Sequence, residues 1–549
     1  MKKYLVILII LASYLRFYQL DKLPSILNRD EAAIAYNAFL LKNSGFDEWQ
    51  RKWPLVLQSF GDYKLPVYPY LTFLGFYFFG INDFAVRFWS ALAGVLLVIV
   101  SYFFGLRLAL NKKEALIFAF LVAISPIFFF YSRSAYEANL ALLFLVISLL
   151  FLFFIPQNNW KNNFFVLGCL LAAIFCYNTP LILFPFLILA FIIFRFYRNK
   201  KDRKKNFLFF CLLGFIFITG MVFLFSLTKQ KSGISFLFSK NDPIIISFGQ
   251  TNEEKKFFYF SEFANLTPFY KINRMLFLAK ILITNFNNSL SFNFLVLRGG
   301  NHPWHSLPYH GHIYFLVYLF FVLFILKEVF YYLNLFFKFV CFIYQKKSKS
   351  PRIDSQRILL DYLLIVSLIP ACITTDAPHA TRSLLFFYLL SFLSLQTFFS
   401  LVHLVESLKF KSYFFYIIQI IFIWIFVFWL VIESIIYFQA YFVQYPKYQA
   451  MYKAGFENFI NNFHASHRDK KVVILDQDGY QYILLAWYLK VKSTDFFSTI
   501  KKQLPNNASL RYGEELLNYR FIVHQDDRRE EKFLLYFDNN QFSWKFNEF

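Results

Sequence analysis

Asp30 and Glu31 stand side by side in LNRDEAAIAYNAFLLKNSGF, in a chain with only 33 acidic residues among 549. A carboxylate can take a proton from an attacking group. Lys64, Arg133, Arg298 and Arg382 are cations that can hold an anion. His302, His305, His310 and His312 crowd one stretch, a density that can bind zinc, and His379 lies further on. Each type also has a structural use. Asn28 precedes Glu31 at capping-box spacing, so both acids can serve a helix dipole, worth about 0.3–1 kcal/mol each. Lys64 can snorkel to a membrane interface and Arg87 can anchor there. Pro303, Pro308 and Gly311 make the histidine stretch a loop whose rings can simply pack. Compartment decides between these uses: groups that act together must face the same way.

Composition identifies the elements that position them. The chain is 58% apolar, 23% aromatic and 16% charged, where a soluble domain is nearer a quarter charged. Runs long enough to cross a bilayer as helices recur at 4–20, 85–105, 115–131, 138–155, 164–194, 207–227, 312–335, 358–373, 383–402 and 412–438. Asn178-Thr179-Pro180 breaks the run 164–194 in two. The expected fold is an α-helical polytopic membrane protein with about eleven transmembrane helices.

Net charge is +23, but the basic residues sit in short connections between spans, so nucleic acid is not the expected partner. RFYRNKKDRKK (195–205) holds seven of them and QKKSKSPRIDSQR (345–357) five. The positive-inside rule then puts the N-terminus in the cytoplasm and the segment after 438 outside. Loops 21–84 and 228–311 share the outer face, with short turns around Arg133 and Asp376–Arg382. The spans read as nearly free of charge at mid-depth, which argues for chemistry at the outer surface and against an ion-coupled path. Apolar positions Ile34, Ala35, Ala38, Phe39 and Leu41 suggest an amphipathic helix along the membrane surface, starting at the acid pair and stopping at Gly45. The first apolar run reads as a retained helix. The five cysteines show neither paired spacing nor a metal motif. Residues 439–549 read as a small extracytoplasmic α/β domain after the membrane domain 1–438: KVVIL as a strand, Asp476–Gly479 as a turn, a helix to about 490, then strands in RFIVHQ and KFLLYF.

The order of these features resembles the polytopic glycosyltransferases of the C superfamily. The acid pair is followed by GDYKLPVYPYL, by Ala85-x-Arg87-x-x-Ser90-x-x-x-Gly94, by SFNFLVLRGGNHPWHSLPYHGH and by IPACITTDAPHATRSL. The nearest likeness is to the dolichyl-phosphate-mannose–protein mannosyltransferases and their bacterial relatives, including the aminoarabinose transferases. One departure concerns Lys64, which Leu65 separates from Pro66 and whose acid, Asp62, stands two positions upstream. The resemblance implies a plasma-membrane enzyme that moves a sugar from a polyprenyl-phosphate carrier to a protein, lipid or glycan acceptor among membrane lipids. It implies a carboxylate base, Asp30 with Glu31 as second choice or orienting partner. It also implies cations for the donor phosphate: Lys64, Arg133 (with Glu137 as structural partner), His379, Arg382 and Arg298. By analogy with glycosidases, a single displacement would invert the sugar. His302 and His305 would contact substrate or a divalent metal; no cofactor is otherwise implied. Two alternatives remain: a lipid-linked sugar flippase or transporter, and a non-catalytic acceptor-binding homologue.

Overall fold

Asn28 starts the second helix as the spacing predicts. Its side chain accepts from the Asp30 and Glu31 backbone N–H groups, and the Glu31 carboxylate returns to the Asn28 N–H, closing a capping box. The helix, α2 (Arg29–Ser44), ends at Gly45 with φ 75°, a left-handed turn that favours glycine. These are features of a computed structural model describing residues 2–60, 62–108, 110–154, 160–198, 269–300, 304–344, 354–374, 377–407, 413–450, 453–504 and 511–549, with a few residues between 214 and 222. Most of the expected span 207–227, the loop from 228 to 268 and His302 lie outside the described residues.

The chain is largely helical. Among the described residues five helices are long and apolar enough to cross a membrane: Asp83–Arg107, Phe315–Phe342, Ser355–Cys372, Ala380–Leu404 and Gln419–Lys447. A sixth forms if Lys112–Ile124 and Pro126–Ser132, bent by 53°, count as one; Pro126 supplies the break. Shorter apolar helices cover Glu137–Phe153, Phe164–Cys176 and Asn178–Phe191, so the run 164–194 divides at Tyr177, beside the expected Asn178. The first helix, α1, is Lys2–Phe17.

One expectation is corrected. The acid-bearing helix does not lie on a membrane surface: every residue from Glu31 to Leu41 is buried. It is covered by the apolar helix α3 (Val67–Phe79), hidden within the expected outer loop 21–84, and by the C-terminal segment. The spans carry paired charges towards one end: Arg357 and Asp361 lie in the first two turns of Ser355–Cys372. Glu328 receives a bidentate Arg357 at 2.5 and 2.9 Å, and the Tyr332 hydroxyl donates to Asp361 at 2.7 Å. These charges sit between two helices that satisfy them mutually.

The motif in α4 (Asp83–Arg107) reads as packing. Asn82 caps the helix by accepting from the Ala85 N–H. The Ser90 hydroxyl donates to the Tyr131 carbonyl at 2.9 Å. A Cβ on Gly94 would lie 2.6 Å from Arg16 Nε and from Ser132 Cβ, so only glycine lets those side chains pass.

A hairpin, β1 (Leu57–Ser59) with β2 (Asp62–Lys64), carries Lys64 at its end. Near the C-terminus a six-stranded sheet forms from β3 (Val472–Leu475), β4 (Lys501–Lys502), β5 (Gly513–Leu516), β6 (Tyr519–Ile522), β7 (Phe533–Asp538) and β8 (Ser543–Glu548), in the order β4-β5-β6-β3-β7-β8. Central β3 is parallel to β6 and β7; the outer pairings are antiparallel. Helix Gln481–Tyr488 packs on α2. Tyr482 donates to Glu48 at 2.8 Å, Lys502 pairs with Glu48 at 3.2 Å, and the Arg511 N–H donates to the Phe60 carbonyl at 2.9 Å. The C-terminal unit is thereby fastened to the loop that presents the acid pair and Lys64.

Candidate active site

Adjacent in sequence, Asp30 and Glu31 point to different tasks. Glu31 is 1% exposed and its oxygens are taken up by protein. Oε1 accepts from Arg87 Nε at 3.1 Å and from the Ala135 N–H at 2.7 Å, and Oε2 accepts from the Asn28 N–H at 3.0 Å. Arg87 donates onward to the carbonyls of Leu20, Pro24 and Ile26. The pair ties α2, α4 and the segment after α1 together. A buried, fully hydrogen-bonded pair of this kind fixes geometry.

Asp30 remains accessible, its side chain 39% exposed. Lys64 Nζ donates to its Oδ1 at 2.8 Å, and Arg29 Nε lies 3.8 Å from the same oxygen. Burial pushes the Asp30 carboxyl up, but Lys64 foremost, then Arg29 and His305, outweigh it and hold it at about 2. Asp30 is therefore ionised throughout the physiological range.

His305 brings in a second layer. Its Nδ1 lies 3.2 Å from the Tyr131 hydroxyl and 3.3 Å from Thr381 Oγ1, and its ring centroid is 4.8 Å from that of His379. Tyr131 and Thr381 are themselves 3.1 Å apart. The turn bearing His379 and Arg382 thus meets the loop bearing His305 and the end of the bent helix. Asp30 with Lys64, and His305 with His379, are thus paired from stretches far apart in the sequence.

Other expected residues lie elsewhere. Arg133 is fully buried and all its donors are spent: on the carbonyls of Leu15, Arg16, Tyr18, Gln19 and Leu23, and on the Tyr441 hydroxyl. It closes the C-terminus of α1, where a cation is favoured, so it has no donor left for a phosphate, and Glu137 is not its partner. Arg298 is exposed at the end of a wide helical turn. His312 is buried between Phe294 and Phe387. His310 lies against Tyr437. His305, His310 and His312 thus have separate surroundings, and among the described residues no three His, Cys, Asp or Glu side chains gather as a metal site. Sequence reading passed over Arg29, Tyr131 and Thr381; adjacency to Asp30 and to His379 was the available signal for the first and last.

Comparisons agree with this architecture. Residues 64–223, well under half the chain and starting at Lys64, match the family model of the dolichyl-phosphate-mannose-protein mannosyltransferases. No curated protein matches significantly. The apo oligosaccharyltransferase of Archaeoglobus fulgidus superposes with TM-score 0.50 at 14% identity, over 88% of this chain and 63% of that one; this chain spans less than two thirds of the archaeal protein. ArnT from Cupriavidus metallidurans, apo, gives TM-score 0.43 at 12% identity, over 89% of this chain and 85% of that one. The fold resembles that of the archaeal oligosaccharyltransferase, and residues 64–223 resemble the dolichyl-phosphate-mannose-protein mannosyltransferases.

Proposed function

We propose that this membrane protein transfers a sugar from a polyprenyl-phosphate carrier to an acceptor hydroxyl at the outer membrane face, with inversion. The N-terminus is then cytoplasmic and the C-terminal unit extracytoplasmic. The observation that carries the proposal is the accessible Asp30 carboxylate held by Lys64 at 2.8 Å. The mannosyltransferase family match supports the donor class.

Asp30 takes the proton of the attacking hydroxyl. Lys64 holds the donor phosphate, which leaves with the electron pair of the anomeric C–O bond; the cation neutralises its growing charge. The Asp30–Lys64 pair also explains how a carboxylate held at about 2 can serve as a base. A bound phosphate competes for Lys64, the downward pull on Asp30 weakens, and burial raises its basicity. Deprotonating power then rises only once the donor is in place. His379 and Arg382 hold the phosphate from the far side, and His305 positions His379. Glu31 and Arg87 keep α2 in register. Membrane lipids surround the carrier tail.

Purified protein, supplied with a panel of radiolabelled polyprenyl-phosphate sugars and with hydroxyl-bearing peptides, lipids and glycans, tests this. Transfer with release of polyprenyl phosphate is expected. Sugar transfer from nucleotide sugars alone would contradict it.

A further inference from the structure

Lys64 is not the only cation against Asp30, and the second is set by the C-terminal unit. Arg29 Nε lies 3.8 Å from Asp30 Oδ1, and its Nη1 donates to the Tyr512 hydroxyl at 3.4 Å. The Arg29 guanidinium sits 5.1 Å from the Phe60 ring centroid, and Lys64 Nζ lies 5.8 Å from the same centroid. Phe60 thus spaces two cations that flank one carboxylate. The ring stacks on Tyr512, centroids 5.9 Å apart, and the Phe60 carbonyl accepts from the Arg511 N–H at 2.9 Å. Phe60 is fully buried and has φ 36°, a left-handed conformation that a bulky side chain rarely adopts. Such a conformation persists only where its surroundings over-determine it; here Arg511 and Tyr512 do so.

We propose that Arg29 is a further ligand for the donor phosphate, beside Lys64, and that Tyr512 and Phe60 are positioning residues which make the C-terminal unit part of the donor site. The inference rests on the sugar-transfer reading above. The carrier phosphodiester brings one negative charge; when the anomeric C–O bond breaks, the phosphate keeps the electron pair and gains a second, while the acceptor proton passes to Asp30. Two cations on the Asp30 side, facing Arg382 on the far side, meet the growing charge from both directions. Arginine suits the second place because its planar fork can engage two phosphate oxygens while one donor stays on Tyr512.

The test uses the full chain in detergent, with sugar-free polyprenyl phosphate as binding probe and polyprenyl-phosphate sugar as substrate. Arg29→Ala is expected to weaken polyprenyl phosphate about 10–100-fold and to raise the donor KM likewise, with unfolding temperature unchanged. Arg29→Lys should recover part of the loss. Tyr512→Phe, which keeps the stack and loses the hydroxyl, should weaken the probe by about 3–10-fold without changing the acceptor KM. Wild-type affinity in Arg29→Ala, with affinity lost in Lys64→Ala, overturns this inference alone. A wild-type protein that binds no polyprenyl phosphate overturns the sugar-transfer reading with it.

Discussion

Substituting the two neighbouring acids one at a time should give opposite signatures. Glu31→Gln places an amide NH2 against one of three donors and strips the counter-charge from Arg87, which is 0% exposed. Removing one member of a buried ion pair costs about 3–5 kcal/mol. Glutamine keeps one acceptor oxygen, so Glu31→Gln should lie near the lower end and Glu31→Ala near the upper. Asp30→Asn differs on both counts. The carboxylate is partly solvated and asparagine still accepts from Lys64, so the stability change should stay under about 1 kcal/mol. Turnover should fall about 10²–10⁴-fold, the usual contribution of a general base. Denaturation titrations in mixed micelles give the first quantity and sugar-transfer rates the second. A Glu31→Gln protein as stable as wild type, paired with an Asp30→Asn protein that unfolds easily, would show the roles to be reversed.

Three further outcomes follow from the same geometry. Asp30 is held at about 2, below its unfolded value near 4, so the pair's contribution is complete above about pH 4 and is lost as pH falls towards 2. Lys64→Ala removes the chief downward pull, burial then drives Asp30 up, and the acid limb of residual activity should move to higher pH; an unmoved limb contradicts the coupling. Gly94→Ala forces a Cβ to 2.6 Å from Arg16 and Ser132 and should cost about 1–3 kcal/mol in stability, read by the same titration; a neutral change would mean the helices separate freely there. Cysteines placed at the exposed positions of Lys22 and Asp469 should both react with an impermeant maleimide on intact cells, and protection of either would reverse the proposed orientation.

The sequence made local features legible and concealed non-local ones. The capping box, the stop at Gly45, the break near Pro180 and strands β3, β6 and β7 depend on neighbours within a few positions, so residue order reveals them. Burial of α2 was hidden because part of its cover comes from Gln481–Tyr488, over four hundred residues away, and the rest from α3 within the same loop. Arg133 and Lys64 looked alike as isolated cations near span ends. Only packing shows that one is consumed by the α1 carbonyls while the other sits on an accessible carboxylate. Hairpin β1–β2 and short strands β4 and β5 have too few residues for a period to register. Arg87, Ser90 and Gly94 carried the family likeness, and the structure gives each a packing reason. A motif can therefore mark a fold without marking the atoms that react.

Single-turnover transfer in liposomes, with donor bound to wild type and Asp30→Asn at saturation, asks whether the Asp30 carboxylate does the chemistry. Asp30→Asn should bind polyprenyl-phosphate sugar at least as tightly as wild type, because Lys64 loses its charged competitor, and should transfer it at least a hundredfold more slowly. Transfer at the wild-type rate from a fully loaded Asp30→Asn protein would contradict the assignment of the base.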